Sequence, residues 1–414
     1  MKHLVTTALL LASCGGLRAQ DPPDTNVNER YRIESVDVVG VQRSRLSSAV
    51  RGQMQALVGE HFKEDRLDPI LDRLLKDFPE YTVTRKVSRG EKPDHVKVVF
   101  EMELAGRGDR FDLSGPRALY HSRHGWTGEL DATVRVSTSE FTVGILSDGD
   151  RLLERYAGVI ARYENRSLGT DAVRLAFDFE SLHQVWNGAT LRALDNQQEI
   201  PGIYRTRQNF QPAVTVVPVR GLKATAGVSF QRFQQQFPAA HTEAANAVMG
   251  TLRYDRSLES TGPNSHRLGA GYGLRAATKT LESDYVYARH TAEADYELYH
   301  GAHKLSLRFN AGVMNGRAPL FERFVLGNSS TLRGWNKYDV APLGGDRVVH
   351  NSTEYRYRVM RVFYDTGAVW KKGDEAEVKH SAGAGLQFGD FAMLVAFPIK
   401  NGRAVPVFML GLNL

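Results

Sequence analysis

From about residue 106 onward, the chain alternates apolar and polar residues with a period of two over many successive segments. In the segments 173–180, 267–276 and 304–313, one face is apolar and the other carries charged residues or small ones such as glycine. Because successive side chains of a strand point to opposite faces, this pattern predicts β-strands. One such strand would also fit a soluble sandwich. Many in succession, with charged second faces, are typical of a barrel with lipid outside and water inside.

The number and the spacing of these segments favour a transmembrane barrel. We place about sixteen strands, the first near 107–115, with eleven before Pro319 and five after Asp346. The connections at 168–169, 219–221, 300–301 and 389–390 are short, and those at 183–202, 235–245 and 315–345 are long. Outer-membrane barrels alternate short periplasmic turns with longer outer loops in this way. The sequence therefore predicts a mainly β fold, with a 16-stranded antiparallel transmembrane barrel over residues 106–414.

Composition excludes several other classes of protein. Beyond the N-terminal segment the chain has no run of 18 or more apolar residues, which excludes a transmembrane helix. A hydrophobic content of 42% with 24% charged residues is typical of folded protein. The formal charge of +6 is small for 414 residues, and no basic helix accompanies it. We therefore expect no nucleic-acid partner.

The N-terminus has the features of a secretory signal. A short basic start, an apolar run and small residues indicate a signal peptide over residues 1–19, and the polar, proline-bearing segment 20–30 indicates a linker. Cleavage after Ala19 would be ordinary, whereas Leu11-Ala12-Ser13-Cys14 resembles a lipobox that would be lipidated. We favour ordinary cleavage. Cys14 is the only cysteine, so disulfide bonds within the chain are excluded.

Two predicted strands near the C-terminus each place one carboxylate on the polar face. Glu354 lies on the face opposite its tyrosine neighbours, and Asp365 shares a face with Gly367. Two carboxylates on lumen faces of adjacent strands require a cation. The planar fork of an arginine suits them, because it can form two hydrogen bonds to a carboxylate and keeps its charge when enclosed.

The long loop before these strands carries Leu332-Arg333-Gly334-Trp335. This tetrad, together with Glu354 and Phe363-x-Asp365-x-Gly367, resembles the signature of the BamA/TamA-like superfamily of outer-membrane protein assembly and translocation. The usual paired glycines upstream are here Gly327-Asn328, which puts the loop conformation in question because Asn adopts positive φ less freely. The resemblance implies that loop 315–345 enters the lumen and that Arg333 reaches Asp365 and Glu354.

Residues 31–105 have the pattern of a small separate domain, in the predicted order β-α-α-β-β. Val38-Val39-Gly40, Gly59-x-x-Phe62 and the closing alternation 96–102 resemble a POTRA domain, the periplasmic module that precedes barrels of the same superfamily. At the other end, Phe408, Leu410, Leu412 and Leu414 alternate with smaller or more polar residues. This terminus resembles the recognition signal of outer-membrane barrels.

Signatures of catalysis are absent from the sequence. It contains no His-Glu-x-x-His, no Gly-x-Ser-x-Gly, no phosphate-binding glycine loop and no cysteine pair. His121-x-x-His124 lies in a loop-like stretch without a third ligand nearby, so we interpret both histidines as solvated. We expect no enzymatic activity, no cofactor and no metal.

The resemblance implies a protein of the bacterial outer membrane with its POTRA domain in the periplasm. Such a protein inserts or translocates client polypeptides, and its partners are outer-membrane lipids, the clients and periplasmic proteins or lipoproteins. Two alternatives stay open: a two-partner secretion transporter that exports one soluble client, and a passive channel or surface antigen.

Overall fold

The computed structural model describes residues 30–41, 43–78, 81–104, 110–195, 203–235, 240–258, 264–400 and 403–412. The predicted signal peptide 1–19 with Cys14, nearly all of the linker 20–30, and Leu414 lie outside the described residues. The chain divides into two compact units, with the boundary between Glu103 and Leu104.

The first unit has the element order that the sequence predicts. Its elements are β1 (Arg32–Val39), α1 (Ser48–Leu57), α2 (Asp68–Asp77), β2 (Tyr81–Arg89) and β3 (His95–Leu104). The three strands form one sheet in the order β1-β3-β2, and β1 runs parallel to β3. Helix α1 begins where the Ser47 hydroxyl accepts a hydrogen bond from the Val50 amide.

The core of this unit lies between the helices and one face of the sheet. Helical side chains spaced three or four residues apart are buried, as are alternate residues of the central strand β3. The buried residues are Val50, Met54, Leu57, Ile70, Leu74, Val96, Val98, Phe100 and Met102. The helical residues that recur with a period of 3.6 and the strand residues that recur with a period of 2 thus pack in the same core.

The second unit is a closed antiparallel barrel. Its strands are β4 (Arg110–His121), β5 (Gly125–Val136), β6 (Ser139–Asp148), β7 (Arg155–Asn165), β8 (Val173–Val185), β9 (Tyr204–Val219), β10 (Leu222–Gln235), β11 (His241–Ala244), β12 (Ala247–Leu258), β13 (Asn264–Ala277), β14 (Val286–His300), β15 (His303–Arg317), β16 (Arg347–Tyr357), β17 (Met360–Trp370), β18 (Lys379–Phe388), β19 (Phe391–Lys400), β20 (Arg403–Ala404) and β21 (Val407–Leu412). Segments β11 and β12 form one strand against β10, and β20 and β21 form one strand against β19. Over the described residues the barrel has sixteen strands, which confirms the predicted fold class.

The described connections of the barrel contain two short α-helices. Helix α3 (Gly188–Asp195) follows β8, and α4 (Lys337–Val340) lies in the long connection before β16. Within the described parts of the chain, no helix has the length and the apolar character needed to cross a membrane.

The first barrel strand differs from the prediction, which placed it near 107–115. Strand β4 continues to His121, through Pro116. A proline in the middle of a ladder removes a hydrogen bond, which argues against a continuous strand. The register with β5 shifts between Ser114 and Arg117, so a bulge accommodates the proline. The predicted end near residue 115 is wrong, because the strand continues beyond this bulge to His121.

Alternate residues of the barrel strands expose apolar side chains on the outer face. On β6, Phe141, Val143 and Ile145 are 50%, 61% and 58% exposed. Soluble monomers rarely expose a continuous apolar surface of the extent formed by this strand and its neighbours. Such a surface is typical of the lipid-facing band of an outer-membrane barrel.

The glycines on the inner face of β13 have a packing role. A Cβ atom on Gly269 would lie 2.3 Å from a carboxylate oxygen of Asp295 and 2.4 Å from the Arg253 guanidinium. One on Gly271 would lie 2.5 Å from a Glu293 oxygen. Arg253 donates hydrogen bonds to Asp295 (2.7 Å) and Glu293 (2.5 Å) across this strand. The glycines thus make room for an ion-pair network that lies flat on the inner wall.

The barrel closes through a short pairing of β4 with β21, which we call the seam. In the described residues, four residue pairs join 118–121 to 409–412. By contrast, β13 and β14 pair along their whole length from Asn264 to Ala277. Since each lost ladder position removes backbone hydrogen bonds, the seam is the weakest strand junction of the described barrel.

We predict that backbone amides of β21 exchange with solvent faster than those of β14, by at least about tenfold, because local opening requires fewer broken hydrogen bonds. Hydrogen exchange of the full chain in detergent micelles, resolved by mass spectrometry, measures both. Equal protection of the two strands would show that the seam is as stable as the rest of the wall.

Candidate functional site

The connection between β15 and β16, residues 318–346, enters the barrel lumen near the strand ends that carry the long loops; we call it the lid loop. Its apolar side chains are buried against inward-facing residues of the wall. The lid-loop members of this cluster are Phe321, Phe324, Leu326, Leu332 and Trp335, and the wall members include Tyr204, Phe233, Ala247, Tyr287, Met314, Val348 and Val369. An apolar core inside the barrel therefore holds the loop in the lumen.

Arg333 of the lid loop contacts the Asp365 carboxylate of β17 through two nitrogens of its guanidinium. Nε lies 2.7 Å from Oδ2 and Nη2 lies 2.8 Å from Oδ1, and the Arg333 backbone amide also donates to Oδ2 at 3.1 Å. Ser352 donates to Oδ1 of the same carboxylate at 2.7 Å. Asp365 is 0% exposed and Arg333 is 6% exposed. This is a bidentate, fully hydrogen-bonded buried pair, the geometry in which an ion pair is strongest.

The third nitrogen of Arg333 reaches Glu354 of β16. Nη1 lies 2.8 Å from Oε2 of Glu354, and the guanidinium carbon lies 3.6 Å from the centre of the Phe363 ring. Glu354 is also bound by Arg361 of β17, at 3.0 and 2.9 Å. We call Arg333, Glu354 and Asp365 the clamp. Arg361 was not predicted as its partner, although strand parity places it on the same inner face.

Gly334 and Gly367 allow the lid loop to lie close to the wall. Gly334 has φ of +90°, and a Cβ atom there would lie 2.9 Å from the Ala396 side chain. A Cβ atom on Gly367 would lie 2.7 Å from a backbone oxygen of β16 and 3.0 Å from Leu326. The close approach of the lid loop to the wall therefore requires a glycine at both positions. The positive φ of Gly334 is a second reason for glycine there.

The two other residues of the tetrad are buried. Leu332 is 0% exposed, and the indole of Trp335 donates a hydrogen bond to the backbone oxygen of His380 at 2.8 Å. The Ser381 hydroxyl donates to the backbone oxygen of Arg333. The tetrad is thus attached to β18 as well as to β16 and β17.

The Gly327-Asn328 pair does not disturb the loop. Gly327 has φ of +99°, whereas Asn328 is not among the described residues with positive φ. The Asn328 side-chain oxygen instead accepts hydrogen bonds from the amides of Ser330 (3.2 Å) and Thr331 (2.8 Å). The asparagine closes a local turn through its side chain, a role that a second glycine could not take.

Lys337 of α4 forms a second attachment of the lid loop, which sequence reasoning missed. Its ammonium, 0% exposed, donates to the backbone oxygens of Gly149 (2.8 Å), Asp150 (3.1 Å) and Leu152. Burial lowers the pKa of Lys337 to about 8, against the opposing effect of Asp150. The ammonium therefore remains largely protonated at neutral pH. Three backbone oxygens leave no trace in the sequence, so no motif could have revealed this site.

The carboxylate of Asp150, in the loop between β6 and β7, binds the lid loop in turn. It accepts hydrogen bonds from the Ser329 hydroxyl at 2.6 Å, from the Ser329 amide at 3.0 Å and from Nδ1 of His124 at 3.0 Å. Burial alone would raise the pKa of this carboxyl, but the hydrogen bonds from His124 and Ser329 lower it to about 2. Asp150 is thus ionised at neutral pH.

The interpretation of His121 and His124 as solvated is wrong. They are 1% and 9% exposed, and their rings stack with centres 4.2 Å apart. The loops of the barrel cover this turn, which the sequence pattern of one strand cannot show. Among the described residues, no group of three or more His, Cys, Asp or Glu side chains could hold a metal ion.

At the C-terminus, the alternating residues of β21 point outward where they are described. Phe408 and Leu412 are 53% and 38% exposed, whereas Met409 between them is buried. Leu410 shares the outer face by parity and is partly exposed. The three described apolar residues of the predicted barrel signal therefore lie on the lipid side of the seam.

Residues 272–403 match the model of the Omp85 superfamily domain. This stretch contains the lid loop and all three clamp residues. The C-terminal part of the barrel therefore carries an Omp85 superfamily domain. The outer membrane protein assembly factor BamA of Nitratidesulfovibrio vulgaris is 28% identical over 141 residues, an alignment that covers 26% of this chain and 18% of that relative. The chain thus matches less than a fifth of the relative's length.

Two solved structures share the fold of this chain. BamA from Haemophilus ducreyi, lacking POTRA domains 1–3, has a TM-score of 0.61 at 14% identity and covers 93% of this chain and 85% of that one. CdiB from Acinetobacter baumannii has a TM-score of 0.56 at 13% identity and covers 93% of this chain and 74% of that one. The similarity concerns the fold, which in this chain is a closed antiparallel β-barrel.

We predict that Arg333→Ala increases the rate at which a protease cleaves the lid loop by about a hundredfold. The substitution leaves Asp365 buried without its cation, which costs about 3–5 kcal/mol. Limited proteolysis of the purified chain in detergent measures this rate. Arg253→Ala is the matched control, because Arg253 also forms lumen ion pairs but its hydrogen bonds join wall residues. Equal cleavage of the two variants would refute the clamp.

Arg333→Lys separates charge from geometry. A lysine keeps the positive charge but cannot form two parallel hydrogen bonds to Asp365 while also reaching Glu354. We expect a cleavage rate between those of the wild type and Arg333→Ala. A rate equal to that of the wild type would show that charge alone holds the loop.

Proposed function

We propose that this protein inserts client polypeptides into the outer membrane, or translocates them across it, by opening at the seam between β4 and β21. The observation that carries the proposal is the short seam. Four residue pairs join its described strands, whereas neighbouring strands elsewhere in the wall pair over most of their length. A junction of this kind can open at low cost and expose two strand edges.

When the seam opens in lipid, the backbone hydrogen-bonding groups of its two strands need new partners. Unpaired backbone amides and carbonyls are costly in the hydrocarbon region, where no water can satisfy them. A strand of a client polypeptide could satisfy both edges by pairing with β4 or β21. Opening would expose the edges that are paired at the seam, residues 118–121 of β4 and 409–412 of β21.

The first unit offers a place to capture a client before insertion. Its sheet has β1 and β2 at its two edges. The outer edge of β1 is already bonded near Ile33, which donates to the backbone oxygen of Glu60 and accepts from the amide of Gly59. This leaves β2, with its polar alternate residues, as the edge to which an extended client adds a strand. We assign this unit as a POTRA domain on the periplasmic side of the membrane.

The lid loop inside the lumen favours assembly over passive conduction. The lid loop packs against the inner wall of several strands and is anchored by Arg333 and Lys337. A passive channel requires an open lumen. In our proposal the lid loop keeps the lumen closed while the seam opens sideways. Client polypeptides, outer-membrane lipids and periplasmic or lipoprotein factors are the partners, and no reaction is catalysed.

We expect liposomes that contain this protein to accelerate the folding of a urea-denatured outer-membrane barrel. Folding is followed by its characteristic shift in gel mobility, and empty liposomes give the spontaneous rate. A rate equal to that of empty liposomes, for several barrels, would contradict insertion. Export of a soluble client without any effect on barrel folding would instead favour the two-partner secretion alternative.

A crosslinked seam tests the site of opening. Ala118→Cys and Leu412→Cys introduce cysteines at paired positions, in a chain whose single natural cysteine is removed by Cys14→Ser. We expect the oxidised form to lose the acceleration and the reduced form to regain it. Full activity of the oxidised form would show that clients do not pass through the seam.

A further inference from the structure

We propose that Lys337, Asp150 and His124 form a latch that couples the lid loop to the outer end of the seam. The latch rests on the proposed function in one respect, namely that the seam is where the barrel opens. It is separate from the clamp: the clamp holds the lid loop to β16 and β17, whereas the latch holds it to the loop after β6 and to the turn after β4.

On the side of the lid loop, the latch consists of two buried attachments to residues 149–152. The ammonium of Lys337 donates to three backbone oxygens, and Ser329 donates twice to the carboxylate of Asp150. Each buried charge is satisfied by the other segment. If either segment moves, a charged group is left without partners in a buried site, which costs more than an ordinary hydrogen bond.

His124 carries the connection from Asp150 to β4. Its Nδ1 lies 3.0 Å from Oδ1 of the same carboxylate that binds Ser329. Its backbone amide donates to Nδ1 of His121 at 3.3 Å, and the two rings stack. His121 is the last residue of β4. The orientation of this strand end is therefore fixed by a hydrogen bond to a residue that the lid loop also binds.

The same strand end forms the outer limit of the seam. His121 pairs with Met409 of β21. The next residue, Ser122, donates its amide to the backbone oxygen of Phe408 at 2.9 Å, and its hydroxyl accepts from the Phe408 amide at 3.2 Å. A continuous series of polar contacts thus runs from Lys337 and Ser329, through Asp150 and His124, to the last contacts of the seam.

The arrangement has a mechanical consequence. With the latch closed, the outer end of β4 is held where it can pair with β21. When the lid loop withdraws from Asp150, this end loses its fixed position, and the seam, already short, loses its outermost pairs first. The position of the lid loop thereby sets how readily the seam opens.

Hydrogen exchange of the full chain in detergent micelles, without any client, tests the latch. We expect Lys337→Met to accelerate exchange in peptides that cover 118–121 and 407–412 by about tenfold or more, because a buried charged hydrogen-bond donor is lost. Exchange in β13 and β14 should not change. Ser329→Ala, which removes one hydroxyl and no charge, should act in the same direction with a smaller effect.

Two controls make the result specific. Lys304→Met removes another lumen lysine, which pairs with Glu297 on the wall at 2.6 Å, and it should leave the seam unchanged. Arg333→Ala releases the clamp and should accelerate exchange around Asp365 more than at the seam. An unchanged seam in both Lys337→Met and Ser329→Ala overturns the proposal. Equal acceleration of the seam by Arg333→Ala and Lys337→Met also overturns it, since general loosening of the lid loop would then suffice.

The outcome is independent of the insertion assay. The exchange experiment contains no client. It therefore tests the coupling between the lid loop and the seam whether or not the chain accelerates the folding of other barrels. If Lys337→Met does not reach the folded barrel, as judged by its gel mobility before and after heating, Ser329→Ala alone decides. An unchanged seam in that variant then overturns the latch.

Discussion

The burial of one carboxylate, that of Asp365, organises the interior of this barrel. A carboxylate with no solvent exposure must be paired and hydrogen-bonded, and the wall supplies the hydroxyl of Ser352. Arg333 supplies the cation from the loop, with a bidentate contact. The loop that carries Arg333 is therefore drawn to the middle of the lumen, and the apolar side chains on either side of it pack against the wall.

Much of this could be predicted from the sequence because a barrel strand obeys a strict rule of parity. Once the alternation of 350–357 and 361–367 is recognised, Glu354 and Asp365 must face the lumen, and an arginine partner is expected. The same rule places Phe408, Leu410 and Leu412 on the outer face. Parity follows from local backbone geometry alone, so it needs no knowledge of tertiary structure.

What could not be predicted depends on backbone groups and on distant segments. The acceptors of Lys337 are backbone oxygens, which every residue has, so no pattern distinguishes them. The burial of His121 and His124 results from loops that are far away in sequence. Pro116 has the same sequence signature at a strand end and in a bulge, and only the register with β5 distinguishes the two. Any other contact between a side chain and the backbone is equally hard to predict, because the sequence does not identify the backbone partner.

The strands of the barrel wall differ in how strongly neighbouring strands are held together, so the wall has a firm part and a weak part. The long strands around β13 and β14 and the clamp strands β16 and β17 form the firm part, and the four-pair seam forms the weak one. In this account, a client strand finds an edge at the seam while the lumen stays closed. Closure of the lumen and opening of the wall are therefore compatible.

A double-mutant cycle on Arg333 and Asp365 tests the central interaction most directly. The free energy of lid-loop opening is measured by native-state proteolysis for the wild type, Arg333→Ala, Asp365→Asn and the double variant. We predict that the double variant is destabilised no more than Arg333→Ala alone, with a coupling free energy of about 2 kcal/mol or more. Effects that simply add, within about 0.5 kcal/mol, would contradict the account.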